Sequence, residues 1–408
     1  MNVPDFDVTI IGGGPAGAAA AIHLAAAGAR VLLAEQKRFP RPKLCGEFIS
    51  PECLGHFRRL GALAALEGAG GAGVSETVFY APSGRGLPVP SEWFGAGAEA
   101  LGLSRAEMDA RLLARAREVG VEVLEEAAPS GVIVEGGRVC GVRLNVAGGE
   151  RLVRAAVSVD ATGRARALTR RAEREFGRER PARSHAPLVA FKAHLAGARG
   201  DAGVCEIYFY AGGYGGLSPV EGGLSNLCFI ARAADVRARG GDAGRVMREV
   251  LMRNRRAAHT LAGASPRSEW LAVALESFGR REPAPFRGLL AVGDAAAFID
   301  PFTGSGMLMA LEGGELAARA VARRLEGLSR GDVEAFDCLA REYAADYARR
   351  FDGRLRLCGL LRRAAFAPAP LAEAAVLALG ASEAARRRLA RATRRVPAEA
   401  PARSPLRR

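Results

Sequence analysis

The sequence predicts an α/β fold in which a mainly antiparallel β domain interrupts a parallel sheet and helices close the chain. Three observations predict it. A strand, a glycine-rich turn, a helix and a second strand follow one another over residues 7–35. Short strands separated by turn residues crowd residues 186–276. Strand-to-helix character then returns over residues 288–327. A parallel unit that is opened, left and re-entered is discontinuous, so the antiparallel part is an insertion. The chain's 408 residues leave room for two or three domains' worth of core.

The first unit is the most specific. Val8 to Ile11 form a short apolar strand of the buried parallel kind. Gly12 permits a tight turn, Gly14 has no side chain to keep a phosphate from the backbone, and Gly17 lets the helix sit close to the strand. Pro15 and Ala16 open that helix, whose first N–H groups and dipole favour negative charge. Glu35 ends the second strand, about 20 residues on, where an acid accepts hydrogen bonds from a ribose. This G-x-G-x-x-G unit makes the parallel part Rossmann-like, of the three-layer β-β-α kind, and suited to a dinucleotide.

The remaining elements follow in order. Prolines break residues 38–43, and a helix is expected from Pro51 to Leu60. A strand is expected at Thr77–Tyr80. Residues 103–119 are amphipathic at helical spacing, with Ser104 as N-cap and Glu107 completing a capping box. Strands are then expected at Val121–Glu125, Gly131–Glu135, Val139–Asn145, Leu152–Arg154 and Ala156–Val159, the last leading into Asp160-Ala-Thr-Gly163. In the insertion, strands are expected at Leu188–Leu195, Cys205–Tyr210, Leu217–Pro219, Ser225–Ala231 and Leu271–Leu275. A strand at Leu289–Val292 delivers Gly293 and Asp294, and a helix is expected over Met307–Leu325. The domains expected are a nucleotide domain of residues 1–75, 100–184 and 277–330, a β-sheet substrate domain of residues 76–99 and 185–276, C-terminal helices over 331–380, and a basic tail over 381–408.

Composition excludes several classes. Hydrophobic residues are 49% and charged residues 25%, ordinary for a globular enzyme. No apolar run of about 18 residues is free of charge or glycine, and the acidic start is no signal peptide, so a cytoplasmic location is expected. The seven cysteines form no C-x-x-C pair, which fits reduced thiols and no metal site. Residues 381–408 hold nine arginines against Glu383 and Glu399, and no aromatic residue. That argues against nucleic acid. A solvated, partly disordered tail is expected, with peripheral contact to anionic lipid headgroups as the sharper alternative.

A second segment carries chemistry. Residues 289–307 place Gly293 and Asp294 after a buried strand, turn at Asp300-Pro301, and free the backbone at Gly304 and Gly306 just before a helix. An acid there suits sugar-like hydroxyls, and the helix start suits an electron-rich ring carbonyl.

Four segments together carry a resemblance: the glycine fingerprint with Glu35, Leu103-Ser-Arg105 with Asp109, Asp160-Ala-Thr-Gly163, and Gly293-Asp294 with Asp300-Pro301 and Gly304-Ser-Gly306. Over about residues 5–325 the chain resembles the FAD-dependent oxidoreductases that include aromatic hydroxylases, geranylgeranyl reductases and flavin-dependent halogenases. The resemblance implies FAD, with Gly12, Gly14, Pro15, Ala16, Gly17 and Glu35 at its AMP half. Lys43, Arg105 and Asp160 fall along its middle, and Gly293 and Asp294 at the ribityl chain. Pro301, Gly304, Ser305, Gly306 and Met307 fall at the flavin ring. Trp93 and Trp270 lie far apart, so the halogenases' W-x-W-x-I-P segment is missing. Direct use of NADPH is in doubt, because Asp160-Ala-Thr-Gly163 departs from the hydroxylases' Asp-Gly; NAD(P)H or a partner flavin or ferredoxin reductase is the expected electron source.

Lys43-Leu-Cys45-Gly46-Glu47 is most like the geranylgeranyl reductase branch. Cys45 is a candidate proton donor, its thiolate favoured by Lys43 and Arg41 nearby in sequence, against a packing thiol as the plainer reading. Glu47 is a candidate for a substrate or flavin contact, against a solvated loop acid. Tyr208, Tyr210 and Tyr214 alternate in the inserted sheet, where strand tyrosines usually pack. His23, His185 and His194 have no acid beside them in sequence and receive no role. The first expectation is hydroxylation of an aromatic or polyketide-like molecule through C4a-hydroperoxyflavin. The second is reduction of carbon–carbon double bonds in an isoprenoid lipid, and the third a flavin-binding protein without turnover.

Overall fold

A computed structural model describes residues 4–95, 99–179, 186–275, 278–366 and 368–394. The parallel unit forms as expected. Strand Phe6–Ile11 lies between Val31–Ala34 and Gly149–Asp160, parallel to both, with Glu122–Leu124 beyond Val31–Ala34 and Leu289–Ala291 beside Gly149–Asp160. Helix Pro15–Ala26 covers one face. The third layer is the meander Ala128–Glu135, Arg138–Val146 and Gly149–Asp160. The strands expected at 152–154 and 156–159 are thus one. The 12-residue strand Gly149–Asp160 passes from an antiparallel partner at Arg154 to a parallel one at Ala155, with no turn residue to break it.

Helix Gly306–Ala322 crosses helix Pro15–Ala26 at close range. A Cβ on Gly314 would stand 2.4 Å from the Ala16 carbonyl oxygen, so glycine sets the approach. The long helix Val333–Ala365 then packs on this pair and buries Phe336, Tyr343, Tyr347 and Phe351 in the same core.

The second sheet has eight strands and is antiparallel apart from one pair. Leu188–Ala196, Ser225–Arg232, Gly213–Pro219 and Val204–Tyr210 run side by side, then Glu76–Tyr80 and Gly86–Pro90 extend it. Ser265–Pro266 and Leu271–Leu275 complete it beside Leu188–Ala196. A three-stranded patch of Phe48–Ile49, Ala72–Val74 and Ala100–Gly102 links the two sheets.

Directly paired residues share a face, so the register sorts this sheet into two sides. One side carries Phe191, Leu195, Tyr208, Tyr210, Leu227 and Phe229, packed under the short helices of residues 233–261. The other side faces the first domain.

The tail reading needs correction. Residues 383–392 are a helix, Glu383–Ala392, with its N-terminus capped by Ser382. Its arginines find partners on the body: Arg391 donates to the Trp93 carbonyl at 3.0 Å, and Arg386 lies over the Trp93 ring. Residues 395–408 lie outside the described residues. Among the described residues no helix is long and apolar enough to cross a membrane, and no cluster suits a metal ion. All seven cysteines are free thiols.

Candidate active site

The glycine turn has the geometry its sequence demands. Gly12 has φ +112°, and a Cβ there would stand 2.3 Å from the Ala161 carbonyl oxygen. A Cβ on Gly17 would stand 1.9 Å from the Gly12 oxygen. Gly14 differs: a Cβ would meet only Arg105 Nη2, at 3.6 Å, so its backbone opens towards that guanidinium. Helix Pro15–Ala26 begins with no side-chain cap, which leaves its first N–H groups pointing the same way. Glu35 accepts from the Gly13 N–H at 2.9 Å and from Arg41 at 3.2 Å, tying the turn to the loop that follows.

Cations gather beyond this turn. Asp109 is fully buried and holds Arg105 through two hydrogen bonds of 2.8 and 2.7 Å, with Arg41 at 3.4 Å. Burial works against the Arg105 charge, but Asp109 and the Cys45 sulfur beside it raise its pKa further. Burial pushes Lys43 down, helped by the charges of Arg41 and Arg105. Burial pushes Asp294 up, opposed by Arg164, Arg105 and Lys43. Three cationic side chains, Arg164, Arg105 and Lys43, therefore act on Asp294, while Asp109 and Glu35 pair with Arg105 and Arg41. Arg164 was not singled out in the sequence, although it directly follows Gly163.

Asp160 does something other than expected. One carboxylate oxygen accepts from Thr162 N and Oγ1 at 3.0 and 2.6 Å, the other from Thr169 N and Oγ1 at 2.8 and 2.6 Å. With its oxygens taken by these four donors, it shapes the turn that presents Arg164 and does not offer a ligand contact.

The second glycine segment forms a cradle. Pro301 starts a single turn, Pro301–Thr303, in which the buried Asp300 accepts from Phe302 N at 3.0 Å. Gly304 has φ +61°, and helix Gly306–Ala322 begins without a side-chain cap. Ser305 is fully buried and its hydroxyl is bonded to Thr303 Oγ1 at 2.6 Å, while the Met307 side chain packs in the core. Only the backbone of these two residues remains for a ligand.

The Cys45–Glu47 loop joins the two domains. Glu47 is fully buried at φ +55°, an uncommon conformation for a residue with a side chain. Its carboxylate accepts from Lys192 Nζ at 2.5 Å, His194 Nε2 at 2.6 Å and Arg105 N at 2.8 Å. Burial opposes its charge, yet His194, Lys192 and the Arg105 N–H hold its pKa below the usual carboxylate range. It is no solvated loop acid. Asn226 donates to the Cys45 carbonyl at 3.0 Å, and Glu47 N to the Cys45 sulfur at 3.5 Å. The guanidinium at Cys45 is Arg105.

Lys192 and His194 lie on the site-facing side of the second sheet. Along strand Leu188–Ala196 that side reads Leu188, Ala190, Lys192, His194, so an apolar roof ends in two basic residues. Cross-strand partners extend it: Ile230 and Cys228, then Tyr214 and Gly216, then Phe209 and Ile207. Phe302, from the cradle, packs against Tyr214, Phe209 and Phe79 at ring separations of 5.5, 5.5 and 5.6 Å. Leu44 packs in the same cluster. Of the three strand tyrosines only Tyr214 faces the site, and it donates to Asp300. Tyr208 and Tyr210 point to the opposite core, towards Glu206 and backbone carbonyls. His23 sits in helix Pro15–Ala26 away from these groups, and His185 lies outside the described residues.

The chain is similar to several known proteins. The profile of the family described as FAD binding domain matches residues 5–334. The chain is 29% identical over 329 residues to digeranylgeranylglycerophospholipid reductase 2 of Methanopyrus kandleri, covering 79% of this chain and 78% of that protein. It is 28% identical over 375 residues to menaquinone reductase of Mycolicibacterium smegmatis, covering 87% and 84%. A geranylgeranyl bacteriochlorophyll reductase-like protein of Thermoplasma acidophilum superposes with a TM-score of 0.78 at 22% identity, over 97% of both chains. A flavin-dependent brominase superposes with a TM-score of 0.76 at 23% identity, over 95% of this chain and 93% of its own.

The residues present fit FAD. Gly14 is open where a pyrophosphate would lie, the helix behind it is uncapped, and Lys43 and Arg105 converge on the buried Asp294 beside it.

Proposed function

Since the chain belongs to the FAD-binding-domain family, we propose that it is a flavin-dependent reductase of carbon–carbon double bonds in an apolar, isoprenoid-like substrate. The observation that carries this reading is the Glu47–Lys192–His194 cluster at the basic end of an apolar roof. The names of its relatives support it too, since they are reductases of isoprenoid lipids and of menaquinone. The preference between the two chemistries expected from sequence is thereby reversed: reduction comes before hydroxylation.

Bound FAD supplies the two-electron redox chemistry. Gly12, Gly14, Gly17 and Glu35 would hold its adenosine half, and Arg41, Lys43, Arg105 and Arg164 would face the pyrophosphate. Asp294 would accept from ribityl hydroxyls, while Pro301 and the 304–306 backbone would support the ring. The roof of Ile230, Tyr214, Phe209 and Ile207 orients an extended apolar chain and excludes water. Reduction of a double bond also needs a proton. His194 is part-exposed and bonded through Nε2 to Glu47, which is bonded to the buried Lys192, so as His194 Nδ1 takes up a proton the Nε2 proton can pass inward to Glu47. Cys45 stands beside this path, its sulfur against Arg105.

The test is a reduction in the absence of oxygen. The FAD-loaded protein is reduced anaerobically and mixed with a polyunsaturated isoprenoid lipid. Reoxidation of the flavin, with a product that gains two hydrogens per bond, is expected. Flavin that stays reduced until oxygen is admitted, followed by an oxygenated product, would restore the hydroxylation reading.

A further inference from the structure

The family match ends at residue 334, yet the chain beyond it returns to the cofactor cradle. Arg394, just past helix Glu383–Ala392, donates to the carbonyl oxygens of Thr303 at 2.9 Å and Gly304 at 3.3 Å. Its side chain is only 9% exposed, and Glu52 stands 3.6 Å from its Nε. The anchor is itself anchored. Arg354 donates from one side to the Arg394 carbonyl at 3.3 Å and from the other to Glu312 at 2.9 Å, and Glu312 lies on the helix that follows the cradle. Cys358 adds a contact from its sulfur to Thr303 Oγ1 at 3.4 Å.

We propose that Arg394 is a positioning residue for the cofactor: by gripping the Thr303 and Gly304 carbonyls it fixes the uncapped start of helix Gly306–Ala322 towards the flavin ring. The reason is the planarity of the peptide unit. In a trans peptide the carbonyl and the next N–H point opposite ways, so holding the Gly304 oxygen outward turns the Ser305 N–H inward. Gly304, with its left-handed φ, is a position where the chain could otherwise swing. A guanidinium suits the task because its donors are rigid and spaced to reach two acceptors at once. Arg394 is therefore part of the candidate cofactor site.

The test uses the full chain with Arg394→Gln and Arg394→Lys, and Arg391→Ala as a control on the helix that precedes it. Apoprotein is titrated with FAD, and thermal unfolding is followed with and without it. Arg394→Gln is expected to weaken FAD about tenfold, in line with the loss of charged hydrogen bonds. It should also alter the bound flavin's absorption band while the apoprotein unfolds at the wild-type temperature. Arg394→Lys, able to reach one carbonyl, should recover part of the loss, and Arg391→Ala should bind FAD normally. Wild-type FAD affinity and spectrum in Arg394→Gln would overturn the proposal. So would a fall in stability equal in the apo and loaded forms, because that would make Arg394 a fold residue only.

Discussion

The glycine turn at Gly12–Gly17 and the junction at Glu47 both lie within the candidate site, but they are built in opposite ways. The turn is made of neighbours in sequence, and its requirement falls on the backbone: no Cβ fits at Gly12 or Gly17. The junction joins Glu47 to Lys192 and His194, residues that lie 145 and 147 positions away, and its requirement falls on side chains. A backbone requirement dictates residue type at fixed spacing. A meeting of side chains across two domains leaves no spacing to read. The turn can therefore be read in the sequence, and the junction cannot.

The largest effect should come from breaking the turn. Gly17→Ala puts a carbon 1.9 Å from the Gly12 oxygen, against backbone that cannot yield. Loss of FAD and a destabilisation of about 4 kcal/mol or more are expected in thermal unfolding. A holoprotein of normal stability would mean that the helix moves freely against the strand.

Breaking the junction should come next. Glu47→Ala leaves Lys192 buried with its partner gone, which costs about 3–5 kcal/mol. Removing both charges, in Glu47→Gln with Lys192→Met, should return part of that stability in a double-mutant cycle, but not turnover. The same pair sets an acid limit. Glu47 is held below its usual range, so its contribution is fully present above the ordinary glutamate pKa of about 4.3 and is lost as pH falls through that value towards the folded one. Melting temperatures measured down the acid limb should fall less steeply in Glu47→Gln than in wild type.

Asp294→Asn sharpens the contrast between binding and folding. Burial raises the Asp294 pKa, so its charge opposes folding above the ordinary aspartate range. The apoprotein should melt higher, while FAD binds roughly tenfold more weakly because a neutral amide with one acceptor oxygen replaces the carboxylate. The smallest effect should follow Tyr208→Phe. Its hydroxyl serves Glu206 on the far side of the sheet, so about 1–2 kcal/mol of stability should go with turnover unchanged. Tyr214→Phe, on the site side, should change turnover.

What was legible in the sequence follows the same division. The nucleotide turn, the order of the two sheets and the cradle at residues 300–306 could be read because glycines and a buried apolar strand mark them. Asp160 could be seen but not its partners, and the threonines that take its oxygens change its role. His194 received no role, and Lys192 gave no signal, because their acid comes from another domain. The arginines at 391 and 394 read as a solvated basic run; charge counts are blind to carbonyls such as those of Trp93, Thr303 and Gly304. Tyr214 could be told from Tyr208 and Tyr210 only once the strand register was known.

The most direct test of the junction's part in the chemistry is a single anaerobic turnover in deuterated water. The reduced, FAD-loaded protein is mixed with a polyunsaturated isoprenoid lipid, and wild type is compared with Glu47→Gln and His194→Gln. The expected result is flavin reoxidation with solvent deuterium in the reduced bond, slowed about a hundredfold in both variants while FAD stays bound. Equal rates in all three proteins, or no reoxidation until oxygen is admitted, would contradict the account.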